Sequence, residues 1–173
     1  MSLVGKIASW DGKSAKDIKM IYQEFEGVAD LSSQLVDMLA TTELESGASW
    51  LLKYYLENGG ELCPADIQGI MRSLPHLEGW AAKLHMLQCS GYWRVPGRSK
   101  SRVEKFIRTN LDHPKTLVRA WACHGFFHLA NQYPEYQQEV LDLFDQRQQR
   151  EPASVRARIR NLLKQGFTAP AAE

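Results

Sequence analysis

The sequence predicts an all-α fold, and three observations carry the prediction. Apolar residues recur three and four positions apart between helix-opening and helix-stopping signals. No stretch alternates with period two over a useful length, and no Asn-Gly pair joins two β-rich runs. Two helix-length segments near the C-terminus also repeat with a fixed offset. About nine helices with mostly short connections are expected within 173 residues, as a single domain large enough to bury a core.

In chain order, Met1 to Gly12 shows no periodicity and ends in an Asp-Gly turn. Ser14 then offers an N-cap, with Asp17 three residues on, for a helix carrying Ile18, Ile21, Tyr22 and Phe25 on one face. Trp10 is expected to pack over the end of this region. Leu31, Leu35, Met38 and Leu39 mark a second helix to about Ala40. Thr42 and Glu45 read as a capping box for a third, with Ala48, Leu51, Leu52, Tyr55 and Leu56 as its stripe, stopped by Asn58-Gly59-Gly60. Pro64 opens a helix with Ile67, Ile70, Met71 and Leu74 inside, ended by Pro75. The segment Leu77 to Cys89 is apolar most of the way round, Trp80 included, and is expected to be the most buried helix.

The stretch from Gly91 to Ser101 is rich in Gly, Pro and Ser and reads as a surface loop. Val103, Phe106, Ile107 and Leu111 define the inner face of the next helix, over 102–111. Asp112 and Pro114 then introduce a helix whose Val118, Ala122, Gly125 and Leu129 lie on one face, closed by Asn131 to Pro134. Val140, Leu143 and Phe144 face inward from a helix over 135–149. Pro152 starts the last helix, Gly166 ends it, and 167–173 reads as a tail.

Residues 101–131 overlay 138–168 at an offset of 37, aligning Val103 with Val140, Phe106 with Leu143, Ile107 with Phe144 and Val118-Arg119 with Val155-Arg156. Two helices held in register across such an offset make a helical-hairpin repeat, and neighbouring hairpins stack to bury a shared core. Asp112, Pro114, Val118-Arg119, Ala122, Gly125-Phe126 and Leu129 resemble the second half of a HEAT repeat. The resemblance implies a right-handed, armadillo-like α-solenoid of about four hairpins, at roughly 30–58, 64–91, 99–131 and 135–166. A cap over 1–27 leads it. The match is specific to the last two units; upstream it rests on helix length and arrangement. It implies that Arg119 and Arg156 bond to turn groups, and that second helices line a concave, partner-binding surface.

Composition is that of an ordinary globular chain, with 44% apolar and 24% charged residues. The net charge of +1 hides an asymmetry: residues 1–93 carry 7 Lys/Arg against 12 Asp/Glu, and residues 94–173 carry 14 against 8. No apolar run is long enough to cross a membrane and no signal-peptide core precedes the first helix, so no membrane association and a cytoplasmic location are expected. Cys63, Cys89 and Cys123 form no CxxC pair and are expected as reduced thiols.

On the side of the second helices opposite the Val stripe stand Leu117, Trp121, His124 and His128, with Ser154, Arg158, Asn161 and Gln165 in the next unit. Trp121, His124, His128, Arg158, Asn161 and Gln165 are the candidate partner-binding residues: an aromatic and polar set suited to a peptide or protein. The competing reading packs Trp121 against the preceding helix. A second candidate set is the basic run Arg94, Arg98, Lys100, Arg102, Lys105 and Arg108, preceded by Tyr92 and Trp93. Cations beside stacking surface suit nucleic acid or another anion, and a solvated loop and helix surface explains them as well. The pairs His85/Cys89 and His124/His128, each four apart, have the spacing of metal ligands but no HExxH acid accompanies them, and no metal is assigned. No catalytic or cofactor-binding motif is present.

The expectation is therefore a non-enzymatic helical-repeat scaffold that binds a protein or peptide on its concave face. A nucleic-acid binder using the basic half is the alternative. A resemblance to the HEAT-like alkylpurine DNA glycosylases comes third: those enzymes need a catalytic Asp near Trp, and no acid stands beside Trp80 or Trp121 at a matching place.

Overall fold

A computed structural model describes residues 1–168. All regular structure among the described residues is helical: ten α-helices linked by short turns, without a strand. The chain divides into two compact units, one ending at Cys89 and one beginning at Ser90.

The first unit holds α1 (Leu3–Ala8), α2 (Ala15–Phe25), α3 (Leu31–Met38), α4 (Thr42–Glu57), α5 (Pro64–Ser73) and α6 (Trp80–Gln88). Helix α1 exceeds the expected count. Its apolar signal is only Leu3 and Ile7, too short for periodicity to register, yet both are buried and Ser2 caps it by accepting from Gly5 N–H at 3.2 Å. The unit is built around α4, which packs against α1, α2, α3 and α6. Helix α1 crosses α4 at Gly47, where a Cβ would stand 2.7 Å from Ile7 Cγ2, so only glycine lets the two backbones approach this closely. Trp10 is half-buried at the turn after α1, donating from Nε1 to the Ser14 carbonyl at 2.9 Å. Helix α3 also packs on α5.

Three local readings meet different outcomes. Ser14 does cap α2, accepting from Asp17 N–H at 3.2 Å. Gly59 does stop α4, with φ at +86°, a conformation that disfavours a side chain. The Thr42–Glu45 capping box does not form: Thr41 is the N-cap, and the buried Glu45 carboxylate instead accepts from Glu78 N–H at 3.1 Å and from Gly79 N–H, at the start of α6. The competing principle is the charge of a helix N-terminus, which draws a carboxylate from a neighbouring helix as well as from its own. Asp66 also pairs across helices, accepting from the hydroxyls of Ser32 and Ser33 of α3 at 2.8 and 2.7 Å. Helix α6 begins at Trp80, three residues later than expected, and this indole is 43% exposed rather than inward. The long α4, rather than α6, is the element around which the unit assembles.

The second unit holds α7 (Lys100–Leu111), α8 (Thr116–Gln132), α9 (Gln137–Arg150) and α10 (Ala153–Gln165). Helix α8 packs on α7, α9 and α10, so it is buried on several sides rather than along one stripe. Phe126, Phe127 and Phe144 are fully buried, each worth about 1.5–3 kcal/mol of transfer free energy. Of the expected tail, Phe167 stacks on Phe127 at 4.9 Å and Thr168 N–H bonds to Asn131 Oδ1 at 2.9 Å. Residues 169–173 lie outside the described residues.

An ionic network, buried at Arg147 and Glu151 and open to solvent at Asp112, whose side chain is 81% exposed, ties α7, α8, α9 and the α9–α10 turn together. Arg147, 3% exposed, donates to the Leu111 carbonyl at 2.8 Å, to Asp112 Oδ1 at 2.8 Å and to Glu151 Oε1 at 2.7 Å. Arg119 donates to the other Glu151 oxygen at 3.1 Å and to the carbonyls of His113 and Pro114 at 2.9 and 3.2 Å. Arg119 thus bonds to groups of the turn that precedes α8. Arg156 is exposed.

Candidate functional site

Helix α8 presents Leu117, Trp121, His124 and His128 on one side because the residues fall four, three and four apart. Leu117 is 49% exposed; the other three are half-buried. The three rings form a ladder: Trp121 meets His124 edge-on at 4.8 Å, and His124 meets His128 at 4.3 Å. On α10, Arg158, Asn161 and Gln165 likewise share a side, Arg158 half-buried and the two amides exposed. The Arg158 guanidinium lies over the Trp121 ring at 3.7 Å, within cation–π range, and joins the two helices at the surface. Trp121 therefore packs forward onto α10. Asn161 and Gln165 extend the same surface along α10.

Both histidines of the ladder are held neutral. Burial, then His128 and Arg158, lower the His124 pKa to about 3, and burial lowers that of His128. His124 Nδ1 is buried without a hydrogen-bond partner among the described residues. In the first unit His85, lowered to about 4 by burial and by Lys53, sits 2.9 Å from Ser49 Oγ. That serine is fully buried and gives its proton to the Ser46 carbonyl at 3.0 Å, so the pair is a packing contact rather than an exposed nucleophile. His85 and His124 titrate near 6.5 when unfolded. Below that value the unfolded chain binds more protons than the folded one. Stability should be flat above about pH 7 and fall as pH drops from 6.5 toward 4, by up to about 1.4 kcal/mol per pH unit for each histidine. Urea unfolding at stepped pH measures the decline, and His85→Gln and His124→Gln should each flatten it; an unaltered slope in both variants rules out this origin.

The basic run does not stay together as one cationic surface. Lys100 is paired with Glu135 and sits over the Tyr133 and Tyr136 rings at 4.8 and 5.0 Å. Arg108 holds Glu139 with two bonds of 2.5 and 2.9 Å and Glu104 with one of 2.9 Å, and lies over Phe126. Their sequence positions signalled positive charge, but Glu135 stands 35 residues after Lys100 and Glu139 31 residues after Arg108; only Glu104 is a neighbour in sequence. Arg94, Arg98, Arg102 and Lys105 are exposed and make no ion pair among the described residues, and Tyr92 beside them is 49% exposed.

Cys63, Cys89 and Cys123 are free, the last two buried, where desolvation pushes their thiols well above the usual range. Among the described residues no group of three or more His, Cys, Asp or Glu side chains is placed to hold a metal ion. Nor is any described helix long and apolar enough to cross a membrane. Comparison with protein-family models, with curated proteins and with solved structures finds no match to the chain.

Proposed function

We propose that the protein is a non-catalytic helical-repeat scaffold that binds a protein or peptide on the α8–α10 surface. The observation that carries the proposal is the Arg158–Trp121 stack, a flat, preorganised aromatic and cationic platform flanked by exposed Leu117, Asn161 and Gln165. Tryptophan and arginine lose little freedom when already stacked, and such residues dominate binding energies at interfaces. Each unit supports a HEAT-like reading through its packing, because second helices pack on second helices: α4 on α6 and α8 on α10. Bonds 36 and 37 residues apart in sequence, Ser49 Oγ with His85 Nδ1 and the Val95 backbone N–H to Gln132 Oε1, support it too. The free thiols fit the cytoplasmic setting of this reading. A glycosylase-like site would need an acid beside Trp121, and the group stacked there is Arg158.

The second reading, nucleic-acid binding, draws on the four exposed cations Arg94, Arg98, Arg102 and Lys105. One experiment separates the two. A photo-crosslinking residue is placed at Leu117, Asn161, Arg102 or, as a control, Asp145 on α9, and native extract is irradiated. Discrete protein adducts from positions 117 and 161 but not 145 are the expected result. Nucleic-acid adducts at 102 that fade steeply with salt, with none at 117 or 161, favour the second reading. No difference between 117, 161 and 145 removes the first.

A further inference from the structure

Resting on the proposed α8–α10 binding surface, we infer that the Trp121–Arg158 pair is the receptor for an acidic side chain, Asp or Glu, of an extended peptide segment. The argument starts from the other inward-held cations of the second unit. Lys100 meets Glu135, Arg108 meets Glu139 and Glu104, Arg119 meets Glu151, and Arg147 meets both Asp112 and Glu151. Arg158 is half-buried, as Lys100, Arg108 and Arg119 are, yet makes no ion pair among the described residues. A partly desolvated charge without a counter-ion is costly, and burial already lowers the pKa of this guanidinium. An incoming carboxylate relieves that cost.

The geometry suits such a ligand. With one face of the guanidinium covered by indole at 3.7 Å, its N–H edges are the groups left to donate, and a planar fork accepts a carboxylate through two parallel bonds. The neighbouring His124 and His128 are neutral near pH 7 and add no charge, so the site offers one cation. A single cation matches a carboxylate better than a phosphate dianion. Ser154 lies one turn before Arg158, and Asn161 and Gln165 lie one and two turns after it, all exposed. From 154 to 165 the helix rises about 16 Å, the length of about five residues of extended chain. The Ser154 hydroxyl on one side of Arg158 and the Asn161 and Gln165 amides on the other can pair with peptide backbone flanking the acid, which places it within a segment rather than at a chain end.

The test uses the full chain and a displayed library of random decapeptides, with selected peptides resynthesised in acid and amide forms and with free or amidated C-termini. The expected result is an Asp or Glu at a fixed position, whose replacement by Asn or Gln weakens binding at least tenfold. Arg158→Gln should bind acid and amide forms alike, and Arg158→Lys should keep only part of the discrimination. The inference is overturned if wild-type protein binds both forms equally, if Arg158→Gln still discriminates tenfold, or if only free C-termini matter. Should Arg158→Gln not fold, the acid-to-amide comparison on wild-type protein and the Arg158→Lys result decide the question. Selected peptides without an acid, together with crosslinks at 117 and 161, sink the inference alone. A library that yields no peptide above a scrambled background sinks it together with the protein-binding reading.

Discussion

Replacing Arg147 with alanine is expected to cost about 3–5 kcal/mol of stability, the range for breaking a buried ion pair from one side. The reason lies in what the substitution leaves behind. Glu151, whose side chain is 8% exposed, keeps only Arg119 as a partner and the Leu111 carbonyl loses a donor, whereas Asp112, 81% exposed, turns to water. Arg147 also buries its Nε without a partner, so the residue already carries a desolvation cost that its other bonds offset. Removing both charges should therefore be milder than removing one. In urea titrations Arg147→Met with Glu151→Gln should be less destabilised than the sum of the single variants by at least about 1 kcal/mol. A loss below about 1 kcal/mol for Arg147→Ala would place the network with ordinary surface ion pairs, contrary to its burial.

The second large effect is expected at Glu45. Its carboxylate, 2% exposed, accepts from the backbone N–H groups of Glu78 and Gly79 where α6 begins. Those donors have no carbonyl one turn back to bond, and the negative charge sits at the positive end of the α6 dipole. Glu45→Ala leaves both donors unmet and should cost about 2–3 kcal/mol, whereas Glu45→Gln keeps one acceptor oxygen and should cost about half as much. Hydrogen exchange localises the damage. Amides over 80–83 in α6 should lose protection in Glu45→Ala before those of α2 do. Uniform loss across the first unit would mean that Glu45 serves packing rather than capping.

These two residues mark where the sequence was readable and where it was not. Helix type and most helix positions followed from apolar spacing and local punctuation, because Ser14 and its target, or Gly59 and the end of α4, lie within a few residues of each other. Glu45 was assigned to its own helix because its true partners stand 33 and 34 residues away. Nothing local in the sequence marks Arg147 for burial, since Leu111 and Asp112 stand 36 and 35 residues away. The same distinction divides the candidate site. That Trp121, His124 and His128 share a side was legible from helical periodicity alone. That Arg158 lies on Trp121, and that Glu135 and Glu139 take up Lys100 and Arg108, depends on packing between helices, which single-helix periodicity does not encode.

The ties that hold the second unit share a direction. Arg147 reaches back to Leu111 and Asp112, Glu139 back to Arg108, Tyr136 back to Glu104, and Gln132 back to Val95. Helix α9 and the turn before it thus carry a set of groups that face α7 and the turn after it. Such a connector has a grammar: a copy of α9 and α10 spliced in after Gln132 is compatible only if it brings both the groups that face α7 and the acceptors that the next α9 will seek. A duplication that copies the apolar stripe but not Asp112 and Arg147 would be a mute insert, packed but unlatched.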